Sequence, residues 1–195
     1  MKPVILASTS AIRRAVLTGA GVAFDAVAPG VDEDAVKQAM PDAAPAVLAL
    51  ELAQQKALAI SANRPGLVIG ADQVLVFEGQ IFDKAKDAAE AEARLRQLRG
   101  KTHELVGAVA LTEGERVLWT HVETSRLTMR AFSEDFLARY LQHAGGGLTS
   151  SVGCYQLEGL GAQLFEKING DYFAVLGMTL LPLLGALRAH GGLQA

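Results

Sequence analysis

Apolar runs broken by short polar signals outline this chain. Residues 3–8, PVILAS, predict a short buried strand, and Ser10 stands where it can cap a helix over about residues 11–20, closed by Gly19 and Gly21. AFDAVAP, residues 23–29, predicts a second strand closed by Pro29-Gly30, and residues 32–39 a brief helix. From Pro45 to Asn63 the chain is rich in alanine and leucine, with Pro45 in the first turn and Pro65-Gly66 past the end, which predicts a long helix. LVIGADQVLVF, residues 67–77, is the strongest strand signal, apolar on both sides of a polar break at Asp72-Gln73.

The second half follows the same alternation. Residues 87–100 predict a helix capped by Asp87, with Glu90 at the capping-box position and Gly100 as the stop. Residues 103–112 and 116–128 predict a hairpin around Glu113-Gly114. Residues 133–147 predict a helix opened by Ser133 and ended by three glycines. Residues 162–168 and 172–177 predict another hairpin about Asn169-Gly170, followed by a terminal helix from about residue 180. Strands and helices in mixed order, joined by hairpins and crossovers, predict an α/β domain with a mixed sheet. With no internal repeat or linker, residues 1–195 read as a single domain.

Composition narrows the function classes. A net charge of −3 argues against bulk nucleic-acid binding, which needs an extended basic surface. No run is long and clean enough to span a bilayer; LLPLLGALRAH at 180–190 comes closest but is short and holds Pro182 and Arg188. MKPVILAS lacks the apolar region and cleavage site of a signal peptide, and the single Cys154 permits no intrachain disulfide. The expectation is a soluble, cytoplasmic protein with no nucleic-acid or membrane partner.

Familiar catalytic and nucleotide motifs are absent: no G-x-S-x-G, no G-x-x-x-x-G-K-[ST], no G-x-G-x-x-G and no Cys/His pair at zinc spacing. His103, His121, His143 and His190 are scattered, and Cys154 reads as a small packed hydrophobe. What remains is charge at the ends of apolar elements. Ser8, Thr9, Ser10, Arg13 and Arg14 surround a helix start, which serves equally as an anion cradle or as a capped turn with surface arginines. Asp72 interrupts a buried strand, where a carboxylate is costly unless a cation, a metal or a hydrogen-bond network compensates it. Glu33 follows the second strand, and two carboxylates reaching one site could share Mg²⁺ or Mn²⁺; a solvated acidic helix start accounts for Glu33 as well. Lys56 and Lys84, taken singly, read as ordinary surface charges.

In order along the chain stand LASTSAIRRAVL, VDE, LAQQKA, GADQVL, DKAKDAAEA and SVGCYQLEGLGAQLFEKINGDYFAVLGM. This ordered set resembles the Maf family of nucleoside triphosphate pyrophosphatases over nearly the whole chain. The resemblance implies an elongated mixed-sheet α/β fold, related to the inosine-triphosphate pyrophosphatases, with a central cleft. It also implies divalent-metal-dependent hydrolysis, with Mg²⁺ or Mn²⁺, of a nucleoside triphosphate to monophosphate and pyrophosphate. On matching positions, Ser8 and Arg13 become phosphate-binding residues, Glu33, Lys56 and Lys84 charged cleft residues, and Asp72 the general base or, with Glu33, a metal ligand. Ile12, Gln73 and Glu158 fall on positions linked to base selection; the Gln-and-Glu pair resembles the 7-methyl-GTP branch rather than the dTTP/UTP branch, whereas Ile12 matches neither. Two departures stand out: Ala85 follows Lys84 where the family usually has proline, and Gly177-Met178-Thr179 replaces Gly-Leu-Pro. The rival readings are a cell-division regulator acting through protein contacts and a nucleotidyltransferase. The resemblance also makes a homodimer an expected assembly.

Overall fold

In the computed structural model, which describes residues 1–194, strand β1 (Val4–Ala7) is buried along its whole length. It pairs in parallel on both sides, with β2 (Asp25–Val27) through Ile5–Asp25 and with β3 (Leu67–Phe77) through Ile5–Val68. Parallel neighbours need crossovers, and helices supply them. Helix α1 (Ala11–Gly19) links β1 to β2; α2 (Glu33–Ala39) and α3 (Pro45–Ser61) link β2 to β3. The helix starts follow the local signals. Ser10 Oγ accepts the Arg13 N–H at 3.4 Å, Asp32 Oδ1 accepts the Ala35 N–H at 3.0 Å, and Pro45 opens α3.

Beyond β3 come β4 (Gln80–Phe82), α4 (Ala88–Leu98), the long pair β5 (Thr102–Glu113) and β6 (Arg116–Met129), α5 (Glu134–Ala144), the one-turn α6 (Gly147–Ser150), β7 (Phe165–Asn169), the one-turn α7 (Tyr172–Val175) and α8 (Leu180–Ala189). The seven strands form one mixed sheet of order β2-β1-β3-β5-β6-β7, with β4 also paired to β3. The α/β mixed-sheet expectation is met. The chain divides into two compact units, one built from Met1–Gln73, Gly107–Glu123 and the segment from Tyr172, the other from Val74–Val106 and Thr124–Asp171.

Several boundaries differ from the sequence reading. β2 is shorter than the predicted 23–29, whereas β3 spans the predicted 67–77. Glu78 and Gly79, both at positive φ, make the tight turn that adds the unpredicted β4. The predicted hairpin of 162–168 with 172–177 does not form. β7 pairs instead with β6, through Leu127–Ile168, and the 172–177 stretch folds into α7 and a turn. Among the described residues no helix is long and apolar enough to cross a membrane.

In the second unit His103 is 1% exposed, its Nε2 lies 2.7 Å from the Tyr155 hydroxyl, and its Nδ1 has no partner. Burial pulls its pKa down to about 4. The unfolded chain, titrating near the ordinary 6.5, therefore takes up a proton that the folded chain refuses. This stability is complete above about pH 6.5 and falls away as pH drops toward 4, by roughly 3 kcal/mol in all. Urea unfolding at pH 7 and pH 4.5 should show a smaller loss for His103→Gln than for the native chain. Equal losses would remove His103 from the acid response.

Candidate active site

The site begins with small residues. Ala57 on α3 joins Ile5, Ala7 and Val68 in a buried cluster, with Val27 and Ile60 against it. A Cβ on Gly70 of β3 would run into the Ala53 carbonyl and the Ala57 backbone, so glycine lets the helix settle directly on the strand. That approach carries Lys56, beside Ala57, to Asp72, two residues past Gly70. Both side chains are buried, Lys56 at 6% and Asp72 at 7% exposure. Lys56 Nζ lies 2.5 Å from Asp72 Oδ1 and 2.7 Å from Glu33 Oε1. Glu33, the first residue of α2, keeps its side chain 45% exposed. One buried ammonium thus bridges two carboxylates and offsets the desolvation of both partners in β3 and α3.

Arg13, half-buried on α1, is tied down by backbone. Its Nε–H donates to the Gly177 carbonyl at 2.9 Å and Nη1 to the Ala71 carbonyl at 2.8 Å. Ala71 precedes Asp72, so the guanidinium is fixed beside the carboxylate pair. Burial holds the Arg13 pKa below its ordinary value, while the charges of Asp72 and Glu33 pull it back up. Gly177 sits at φ +87°, the left-handed conformation of the turn that presents its carbonyl. Ser8, also buried, accepts the Ser10 N–H on its Oγ at 3.1 Å, which leaves its own O–H to donate. Ser10 spends its oxygen on the cap, as expected, and Arg14 is exposed.

The base-selecting candidates are less alike. Ile12 is half-buried on α1. Gln73 Nε2 donates to the Ala174 carbonyl at 2.8 Å and the Val175 carbonyl at 3.4 Å. Its amide N–H groups are therefore engaged in the fold, and its carbonyl oxygen is the group left to meet a ligand. Lys84 and Glu158 belong to the second unit, where both are exposed. The unit that contains Lys56 thus gathers Arg13, Glu33, Lys56 and Asp72, with Ser8 at the α1 start. Cys154, at 0% exposure, has its thiol pKa pushed up by burial, which suits a packed side chain and not a nucleophile.

Two groups escaped the sequence reading: the carbonyls of Ala71 and Gly177 that hold Arg13. A strand residue next to Asp72 and a glycine past the last short run were the available signals, and neither names a partner.

The donor set also tests a divalent cation. Among the described residues no group of three or more His, Cys, Asp or Glu side chains could hold a metal ion. Glu33 and Asp72 supply two hard carboxylates, both on Lys56. Mg²⁺ and Mn²⁺ are held in this way, by one or two carboxylates with waters and substrate phosphates completing the shell. The residues fit such an ion and do not fit an all-protein metal cage.

The family described as Maf-like protein matches residues 3–190. A nucleoside triphosphate pyrophosphatase of Caulobacter vibrioides is 51% identical over 195 residues, covering 99% of this chain and 98% of the relative. One of Granulibacter bethesdensis is 54% identical over 192 residues, covering 97% and 98%. A 7-methyl-GTP pyrophosphatase of Rhizobium etli is 48% identical over 190 residues, covering 96% of each chain.

Proposed function

The chain belongs to the Maf-like protein family, and on that premise we propose that it hydrolyses a nucleoside triphosphate to the monophosphate and pyrophosphate at the Lys56 network. The observation that carries this reading is the buried Lys56 held between Asp72 and Glu33, with the backbone-anchored Arg13 alongside. A surface charge cluster would not bury an ammonium and a carboxylate together.

Each group has a role that its geometry permits. A triphosphate repels an incoming water oxygen, so cations that spread its charge lower the barrier. The Ser8 hydroxyl, the free N–H groups at the α1 start and the Nη2 edge of Arg13 bind phosphate oxygens. Lys56 has three N–H donors, of which two face Asp72 and Glu33, leaving one for a phosphate. Asp72 orients water toward the α-phosphorus and takes its proton, a step a carboxylate can perform when the water is made more acidic. Glu33 and Asp72 would hold Mg²⁺ or Mn²⁺, which would neutralise phosphate charge and make bound water easier to ionise. By its resemblance to the family, Lys84 is assigned to the phosphate oxygens and the leaving pyrophosphate.

For the base, we take the 7-methyl-GTP reading over dTTP or UTP. Glu158 is a carboxylate suited to the N–H edge and positive charge of a methylated guanine, and the Gln73 carbonyl adds an acceptor. The name of the Rhizobium etli relative supports this choice. The test is pyrophosphate release from 7-methyl-GTP, GTP, dTTP, UTP and CTP, with Mg²⁺ or Mn²⁺ and with chelator. The expected result is metal-dependent release, fastest from 7-methyl-GTP. Preference for dTTP or UTP would overturn the base assignment, and full activity in chelator would overturn the metal.

A further inference from the structure

The loop between β4 and α4 carries Lys84, followed by Ala85 where resemblance to the family leads one to expect proline. The loop is nevertheless pinned on both sides of that alanine. Arg94 of α4 is 5% exposed, although a guanidinium is costly to bury. Its Nη1 donates to the carbonyl of Asp83, the residue before Lys84, and to the Val152 carbonyl at 2.8 Å. Nη2 donates to Glu90 Oε1 at 2.9 Å, and the guanidinium carbon lies 5.2 Å from the centre of the Phe82 ring. The other Glu90 oxygen accepts the Lys86 N–H at 3.0 Å. Ala85 between them is 4% exposed, and its backbone hydrogen-bonds Cys154.

Lys84 itself is exposed, so nothing about its own packing explains a buried guanidinium under its loop. The contacts of Arg94 and Glu90 converge on the backbone immediately before and after the Lys84-Ala85 pair. We infer that Arg94 is a positioning residue: through the Asp83 carbonyl, and with Glu90 on the Lys86 N–H, it fixes the stem from which the Lys84 side chain extends. Arginine suits this task because its planar fork holds two carbonyls and a carboxylate at once; lysine offers no such fork. The clamp does here what a proline ring does by restricting backbone freedom.

The inference rests on the hydrolase reading, and a double-mutant cycle separates the two. Hydrolysis of the preferred triphosphate is measured for the native chain, Arg94→Met, Lys84→Ala and the double variant, with thermal unfolding of each. Arg94→Met should lower kcat/KM roughly ten- to hundredfold in folded protein. In the Lys84→Ala background the same change should cost less than about twofold, because the group it positions is gone. Losses that multiply would overturn the inference and make Arg94 a general strut. Should Arg94→Met fail to fold, Glu90→Ala, which frees the Lys86 end of the loop, decides in the same way. Absence of turnover in the native chain would overturn the hydrolase reading, and the inference with it.

Discussion

Asp72→Asn should lower turnover by about 10²-fold or more while leaving the protein folded. Asparagine keeps the size of the side chain and a carbonyl oxygen for Lys56, so β3 and α3 can stay where they are. What it loses is the negative charge, and with it the ability to take a proton from water or to act as a strong ligand to a cation. Its effect on binding should be small compared with its effect on kcat, since the groups proposed to grip the phosphates are others. Steady-state kinetics on a triphosphate, beside a urea titration, separate the two quantities. Near-normal kcat in a folded Asp72→Asn protein would remove Asp72 from the chemistry.

Lys56→Met carries the second large effect, and it acts on stability as well as on rate. Methionine fills the volume but leaves Asp72, at 7% exposure, a buried carboxylate without its cation. Removing one partner of a buried pair costs about 3–5 kcal/mol. Glu33, with its side chain 45% exposed, turns to solvent and adds little, so the expected loss lies near the lower end, about 3 kcal/mol. Turnover should fall with it, because the ammonium proposed to meet the phosphates is gone. The double variant Lys56→Met with Asp72→Asn should recover part of the stability and none of the activity, since no charge is then left buried alone. A Lys56→Met protein as stable as the native chain would contradict the bridging role of this lysine.

How much of this was legible in the sequence depends on whether the signal was local. Ser10, Asp87 and Ser133 each cap the helix they were expected to cap, because a cap is set by residues three positions apart. Asp72 was conspicuous because a carboxylate inside LVIGADQVLVF breaks the apolar run on which the strand depends. Lys56 was not. It sits in an alanine-rich helix like any surface lysine, and only the close approach of α3 to Gly70 turns it inward to a partner sixteen residues away. The Arg13 anchors were hidden more deeply, since backbone carbonyls carry no residue identity and Gly177 is 164 positions away. The Asn169-Gly170 signal misled for the converse reason: it is a good local turn, but β7 finds its partner in β6, and pairing across the sheet overrode it.

The central claim is that water, directed by Asp72, attacks the α-phosphorus and expels pyrophosphate. Hydrolysis in ¹⁸O-labelled water, followed by mass analysis of both products, tests it most directly. Label in the nucleoside monophosphate and none in the pyrophosphate is the predicted result. Label in the pyrophosphate, or release of nucleoside diphosphate and phosphate, would place the attack on another phosphorus and contradict the account.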